Sequence, residues 1–99
     1  MSETIKSNDV IKKLRPLKPE LEKRYGVTRI GIFGSVARNE AHNGSDIDIV
    51  VEMAPDLLQR VSLKAELELL FCQKVDVVRY WYGMNNHLKA RIDQEAVYV

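Results

Sequence analysis

The chain has 99 residues, 45% of them hydrophobic and 29% charged, with 15 Lys and Arg against 14 Asp and Glu. That length holds one domain around one core, and so even a charge balance excludes the broad basic field of a protein that wraps nucleic acid. The single cysteine, Cys72, cannot form an intrachain disulfide, so a reducing compartment is expected, with Cys72 a free structural thiol of the usually buried kind.

The opening stretch MSETIKSNDV has no apolar leader core, and no run approaches the roughly 18 to 20 apolar residues of a membrane span. A cytoplasmic protein without a membrane anchor is expected. From Ser7 to Gly26, Val10, Ile11, Leu14, Leu17, Leu21 and Tyr25 recur at helical spacing, with Ser7 or Asn8 as N-cap and Gly26 as C-terminal cap. Pro16 and Pro19 each remove a backbone donor, which predicts a kink or two short helices meeting near Arg15 to Lys18.

Val27 to Phe33 is a β-branched run that ends at Gly34, and Asp46 to Glu52 is a second strand. The residues between them suit a short helix and a loop rather than a hairpin turn. Asp56 to Phe71 reads as a helix with Leu63, Leu67 and Leu70 facing inward, its Lys64, Glu66 and Glu68 forming a solvated face. Lys74 to Tyr80 is a third strand. After Gly83 a last helix is expected, capped by Asn85 or Asn86, with Leu88, Ile92 and Ala96 on one face. No repeat or linker divides the chain. One α+β domain over residues 1–99 is predicted, a small mixed sheet of three to four strands with helices packed on it.

On the second strand Asp46, Asp48, Val50 and Glu52 share one side, while Ile47, Ile49 and Val51 share the core side. Residues two apart on a strand are about 6.6 to 6.8 Å apart, and carboxylates so spaced can converge on one or two cations, since paired metal ions sit about 3.5 to 4 Å apart. Without a cation the acids repel. If the third strand lies beside the second, Asp76, flanked by core-facing Val75 and Val77, joins the cluster, whereas Glu52 lies too far out. Oxygen ligands alone suit Mg²⁺ or Mn²⁺. Mg²⁺ usually takes one or two carboxylates together with substrate phosphates, which points to a phosphate-bearing substrate.

Gly34 allows close backbone approach, and Ser35 opens the short helix, where free N–H groups and a hydroxyl favour an anion. Arg38, three residues on, can reach the same anion. Carboxylates for metal and donors for phosphate together describe a site for attack on a nucleoside triphosphate. The segment is not an EF-hand, because Val50 and Val51 stand where an oxygen ligand and glycine are needed. It is not a P-loop either, because no Gly-Lys-Ser/Thr follows. His42 and His87 read as surface residues. Tyr80, Trp81 and Tyr82 read as a core cap or a partner surface.

The stretch GSVARNEAHNGSDID, Gly-Ser followed after ten residues by Asp-x-Asp, resembles the signature of the DNA polymerase β-like nucleotidyltransferase superfamily. With LKPELEKRYGV before it and LKARIDQEAVYV at the end, nearly the whole chain resembles the minimal nucleotidyltransferases of the MntA antitoxin type. The resemblance implies the polymerase β-like fold, with Asp46, Asp48 and Asp76 as catalytic metal ligands and Gly34 and Ser35 holding the β- and γ-phosphates. It also implies transfer of AMP from ATP to a hydroxyl with release of pyrophosphate, the acceptor being a tyrosine of a HEPN-domain ribonuclease toxin. Two departures stand out. Asn39 replaces the glycine usual after the arginine, although Asn tolerates left-handed backbone. The chain also lacks the further domain of larger relatives, so its site should be open on one side. Neutralisation of the partner by complex formation alone, or transfer to a small-molecule hydroxyl, is the competing reading.

Overall fold

The computed structural model describes residues 5–42 and 44–99; the first residues of MSETIKSNDV, read above for a leader, and Asn43 lie outside it. Two short helices, α1 (Ser7–Leu14) and α2 (Lys18–Tyr25), meet at a 3₁₀ turn (Arg15–Leu17). This is the expected break, and the prolines explain it: each falls in a first turn, where a missing N–H costs nothing. Gly26 closes α2 in the left-handed region at φ 68°. The cap at the other end differs from expectation. Ser7 is already helical, neither Ser7 nor Asn8 caps α1, and the Ser7 N–H is satisfied by the Asn39 side chain at 2.9 Å.

Next come β1 (Arg29–Phe33), the one-turn helix α3 (Gly34–Ala37), β2 (Ile47–Glu52), α4 (Leu57–Phe71), β3 (Val75–Arg79), α5 (Asn86–Glu95) and β4 (Val97–Tyr98). Asp56 caps α4 by accepting the Gln59 N–H at 3.0 Å, and Asn85 caps α5 by accepting from Leu88 at 3.1 Å. The strands form one mixed sheet in the order β3-β2-β1-β4. β1 runs antiparallel to β2 and β4, and β2 runs parallel to β3. The C-terminal strand is an addition to the expected elements. It packs so closely that a side chain at Gly31 would meet the Val97 carbonyl oxygen at 2.6 Å.

The main core lies on one face of the sheet, where Ile30, Ile32, Ile47, Ile49 and Val51 pack with Leu14 and Leu21 of the first helices and Leu63 and Leu67 of α4. Leu70 of the expected stripe is only half-buried. The opposite face carries a smaller cluster in which Ile92 of α5 covers Phe33 and Val50, with Tyr80, Leu88 and Ala96 packed around it. Val50 is therefore buried although it shares a side with the aspartates. α5 lies across Phe33 and Val50 on that face, while Asp46 and Asp76 stay exposed and Asp48 half-buried.

Other expectations shift in position. Cys72 is exposed, in the left-handed residue that ends α4, rather than buried. Glu66 and Glu68 do more than solvate a helix. Glu66 binds Arg24 and accepts from the Tyr25 hydroxyl, and Glu68 accepts the Val75 N–H at 3.0 Å, fixing the start of β3. Of the aromatics, Tyr80 joins the smaller core and donates to Asp93 at 2.7 Å, while Trp81 and Tyr82 face outward. None of the described helices is long and apolar enough to cross a membrane.

Candidate active site

β2 puts Ile47, Ile49 and Val51 in the core and leaves Asp48 half-buried on the opposite side. β3 lies directly beside it, and the parallel register pairs Asp48 with Asp76. Neighbouring strands are about 4.8 Å apart, so the two carboxylates come from adjacent backbones on one face. Asp46 precedes the strand proper and is exposed, as is Asp76. Asp46 and Asp76 border an open cleft of about 670 Å³, shared with Lys64, Glu68, Gln73 and Lys74.

Asp48 also lies opposite Phe33, the last residue of β1, and so stands against the turn into α3. Gly34 makes that turn at φ 71°, and a Cβ there would overlap Oδ2 of Asp48. Only glycine satisfies both demands, the left-handed backbone and the contact with the carboxylate. The acidic strand and the Gly34-Ser35 turn are thus one site rather than two neighbouring features. Burial raises the Asp48 carboxyl above its ordinary range, and Asp76 and then Asp46 push it further up, while Arg91 and Arg38 pull it back.

The arginines belong to a third component. Arg38 ends α3, its Nε donating to Glu40 at 2.9 Å and its Nη1 standing 3.0 Å from Oε1 of Glu95. The same Glu95 oxygen accepts the Gly34 N–H at 3.1 Å and lies 3.9 Å from Nη2 of Arg91. Ser35 is half-buried, and its carbonyl accepts the Glu40 N–H at 2.8 Å. Arg91 and Glu95 are absent from the sequence reading. They flank the buried Ile92 on α5, and the one local hint is an acid in the last turn of a helix, where the dipole disfavours it.

The other candidates lie apart. His42 is exposed and shares hydrogen bonds with Ser45 in the loop before β2, and His87 is exposed on α5. Glu52 pairs with Arg29 at 3.1 Å at the far end of β2. Among the described residues, no three His, Cys, Asp or Glu side chains stand close enough together to hold a metal ion as they lie. Of the three expected acids, Asp48 and Asp76 are register partners, and Asp46 stands exposed two residues before Asp48.

The nucleotidyltransferase domain family matches residues 14–99. The chain belongs to that family. This nucleotidyltransferase is 43% identical over 88 residues to the protein adenylyltransferase MntA of Thermococcus cleftensis, covering 83% of this chain and 84% of that one. Its fold matches a solved minimal nucleotidyltransferase with a TM-score of 0.74 at 34% identity, over 90% of this chain and 92% of the other. It also matches a chain of the Shewanella oneidensis complex between a tri-AMPylated HEPN toxin and an MNT antitoxin. There the TM-score is 0.58 at 26% identity, over 93% of this chain and 66% of that one. The α+β architecture with a four-stranded mixed sheet is thus that of the minimal nucleotidyltransferases, as the resemblance implied.

Proposed function

We propose that this nucleotidyltransferase transfers AMP from ATP, with Mg²⁺, to a tyrosine hydroxyl of a cognate HEPN toxin and so acts as its antitoxin. The observation that carries the reading is the contact of Gly34 with Asp48 beside the Asp48 and Asp76 register pair. It joins a place for triphosphate to a place for carboxylate-bound metal. The relatives' protein adenylyltransferase activity and the AMPylated toxin of the Shewanella complex support the reaction and the class of partner.

The donor set fits a hard divalent cation. It offers carboxylate oxygens alone, and two of them with substrate phosphates is the usual complement for Mg²⁺. Asp48 and Asp76 would hold the ion, with Asp46 completing the set at the rim. Bound there, Mg²⁺ or Mn²⁺ would neutralise charge on the triphosphate and make the acceptor hydroxyl more acidic.

The remaining roles fall to the chain itself. The Gly34 and Ser35 turn and Arg38 would hold the β- and γ-phosphates, leaving the α-phosphorus above the acidic pair. The acceptor oxygen then forms its bond to the α-phosphorus as the bond to the bridging oxygen breaks and pyrophosphate leaves. Asp76, exposed beside Asp48, would help take the hydroxyl proton. Pairing of metal ligands with phosphate donors supplies the electrostatic stabilisation that dominates phosphoryl chemistry.

The test is intact-mass spectrometry of the toxin after incubation with ATP and Mg²⁺. Whole-AMP additions are expected with the parent chain. Asp46→Asn or Asp48→Asn should lower their rate on the order of a thousandfold while leaving the circular dichroism spectrum intact. Full activity in either variant would rule out the carboxylate role. The rival is a module that neutralises its partner by binding alone. A stable, unmodified complex would support that rival.

A further inference from the structure

One oxygen of Glu95 accepts the Gly34 N–H at 3.1 Å, stands 3.0 Å from Nη1 of Arg38 and forms a longer ion pair with Nη2 of Arg91 at 3.9 Å, so three parts of the chain meet on it. Glu95 stands where its own helix disfavours it, since a carboxylate in a last turn faces the negative end of the dipole. It is also close to a face that already carries Asp48 and Asp76. Those donors are what keeps it there. Its side chain is 21% exposed, so the arrangement is not a loose surface pair.

A backbone amide and two guanidinium groups converging on one anionic oxygen is the arrangement a phosphate oxygen would need. Gly34 and Arg38 are the groups assigned above to the triphosphate. Each N–H at this convergence can serve one anion at full strength, so the carboxylate and a phosphate exclude one another. Two anions side by side in the same place would also repel.

We propose that Glu95 sets nucleotide affinity: in the nucleotide-free chain its carboxylate occupies the phosphate position on Gly34 and Arg38, and ATP binds by displacing it. The proposal rests on the assignment of Gly34 and Arg38 to the triphosphate. Displacement leaves the rest of α5 in place, because Ile92 anchors the helix independently of Glu95. The freed Arg91 then adds a second cation to the same anion. The cost of breaking the Glu95 contacts is subtracted from the affinity for nucleotide.

Isothermal titration of the full chain with a non-hydrolysable ATP analogue and Mg²⁺ tests this. Glu95→Gln keeps a carbonyl oxygen for the Gly34 N–H but removes the charge, and Kd should fall about tenfold, the scale of one charge-assisted hydrogen bond released. Glu95→Ala should tighten binding in the same direction, with thermal melting showing that both variants fold. A structural role cannot produce this result, because a loosened α5 would only weaken binding. Unchanged or weaker binding by a Glu95→Gln chain that melts like the parent overturns the proposal and makes Glu95 a fastener of α5. If the parent does not bind the analogue, or binds it equally well after Arg38→Ala, the assignment of the phosphate site fails and the proposal falls with it. The two failures are distinct.

Discussion

Gly34 is the residue on which the most constraints meet. Its φ of 71° would cost an L-residue about 1 kcal/mol, and any Cβ would fall on the Asp48 carboxylate. Gly34→Ala should therefore displace the Asp48 oxygen that the proposed chemistry uses, and a misplacement of about 1 Å can lower a rate on the order of a hundredfold. Initial rates of AMP transfer set beside the melting temperature give the check: the rate should drop far more than the loss of fold explains. Asp48 itself lowers stability at neutral pH. Burial and Asp76 raise its carboxyl, so the folded chain binds that proton more readily than the unfolded chain does. The sign follows: this group's stability contribution is best below the ordinary carboxylate range and falls as pH rises through the folded-state value. Asp48→Asn should remove that fall and make the metal-free chain more stable than the parent at pH 7, by a margin that shrinks towards acid. Urea titrations of the two chains across pH 4 to 7 measure the difference directly. Glu68 runs the other way, held low by the Val75 N–H and then by Lys64, but it is common to both chains and cancels.

At the scale of elements, the junction of α3 with α1 rests on Asn39. It adopts φ 58° and its side-chain oxygen caps a helix 32 residues earlier in the chain. Asn39→Ala loses the cap and strains the backbone, for a cost of about 1 to 3 kcal/mol. Asn39→Gly loses the cap but relieves the strain, so its net cost should stay within about 1 kcal/mol. Chemical denaturation that ranks Ala clearly below Gly would establish both roles, and equal costs would remove the left-handed one. Asn39 also marks the limit of what is legible in the chain. Its tolerance of left-handed backbone could be read locally, yet its service to Ser7 could not, because a cap supplied from another element leaves no trace in neighbouring residues. The carboxylates were legible because a two-residue period fixes which strand face each occupies. Their pairing with Asp76 needed only that β3 lie beside β2. Arg91 and Glu95 were hidden because nothing near them encodes that α5 packs across the aspartate face, and β4 was hidden because two residues are too few to show a period.

For the whole molecule, the decisive property is thinness. Its principal extents are 40 × 29 × 19 Å, and the sheet is covered on one face by α1, α2 and α4 but on the other only partly, by α5. Beside Asp46 and Asp76 lies an open cleft rather than an enclosed pocket. A small acceptor needs walls to hold its hydroxyl in line with the α-phosphorus, and such positioning can account for about 7 to 11 kcal/mol of a barrier. On the proposed reaction, the wall would come with the acceptor. In that reaction a folded toxin that docks over the open side would bring its own tyrosine and exclude water at once. Free tyrosine, or a short tyrosine peptide, should thus be adenylylated at least about a hundredfold more slowly than the intact toxin at equal concentration. Parallel assays with radiolabelled ATP compare the acceptors on one scale. Equal rates would mean that the chain alone positions the hydroxyl, and the open side would then be no more than the entrance for a small molecule.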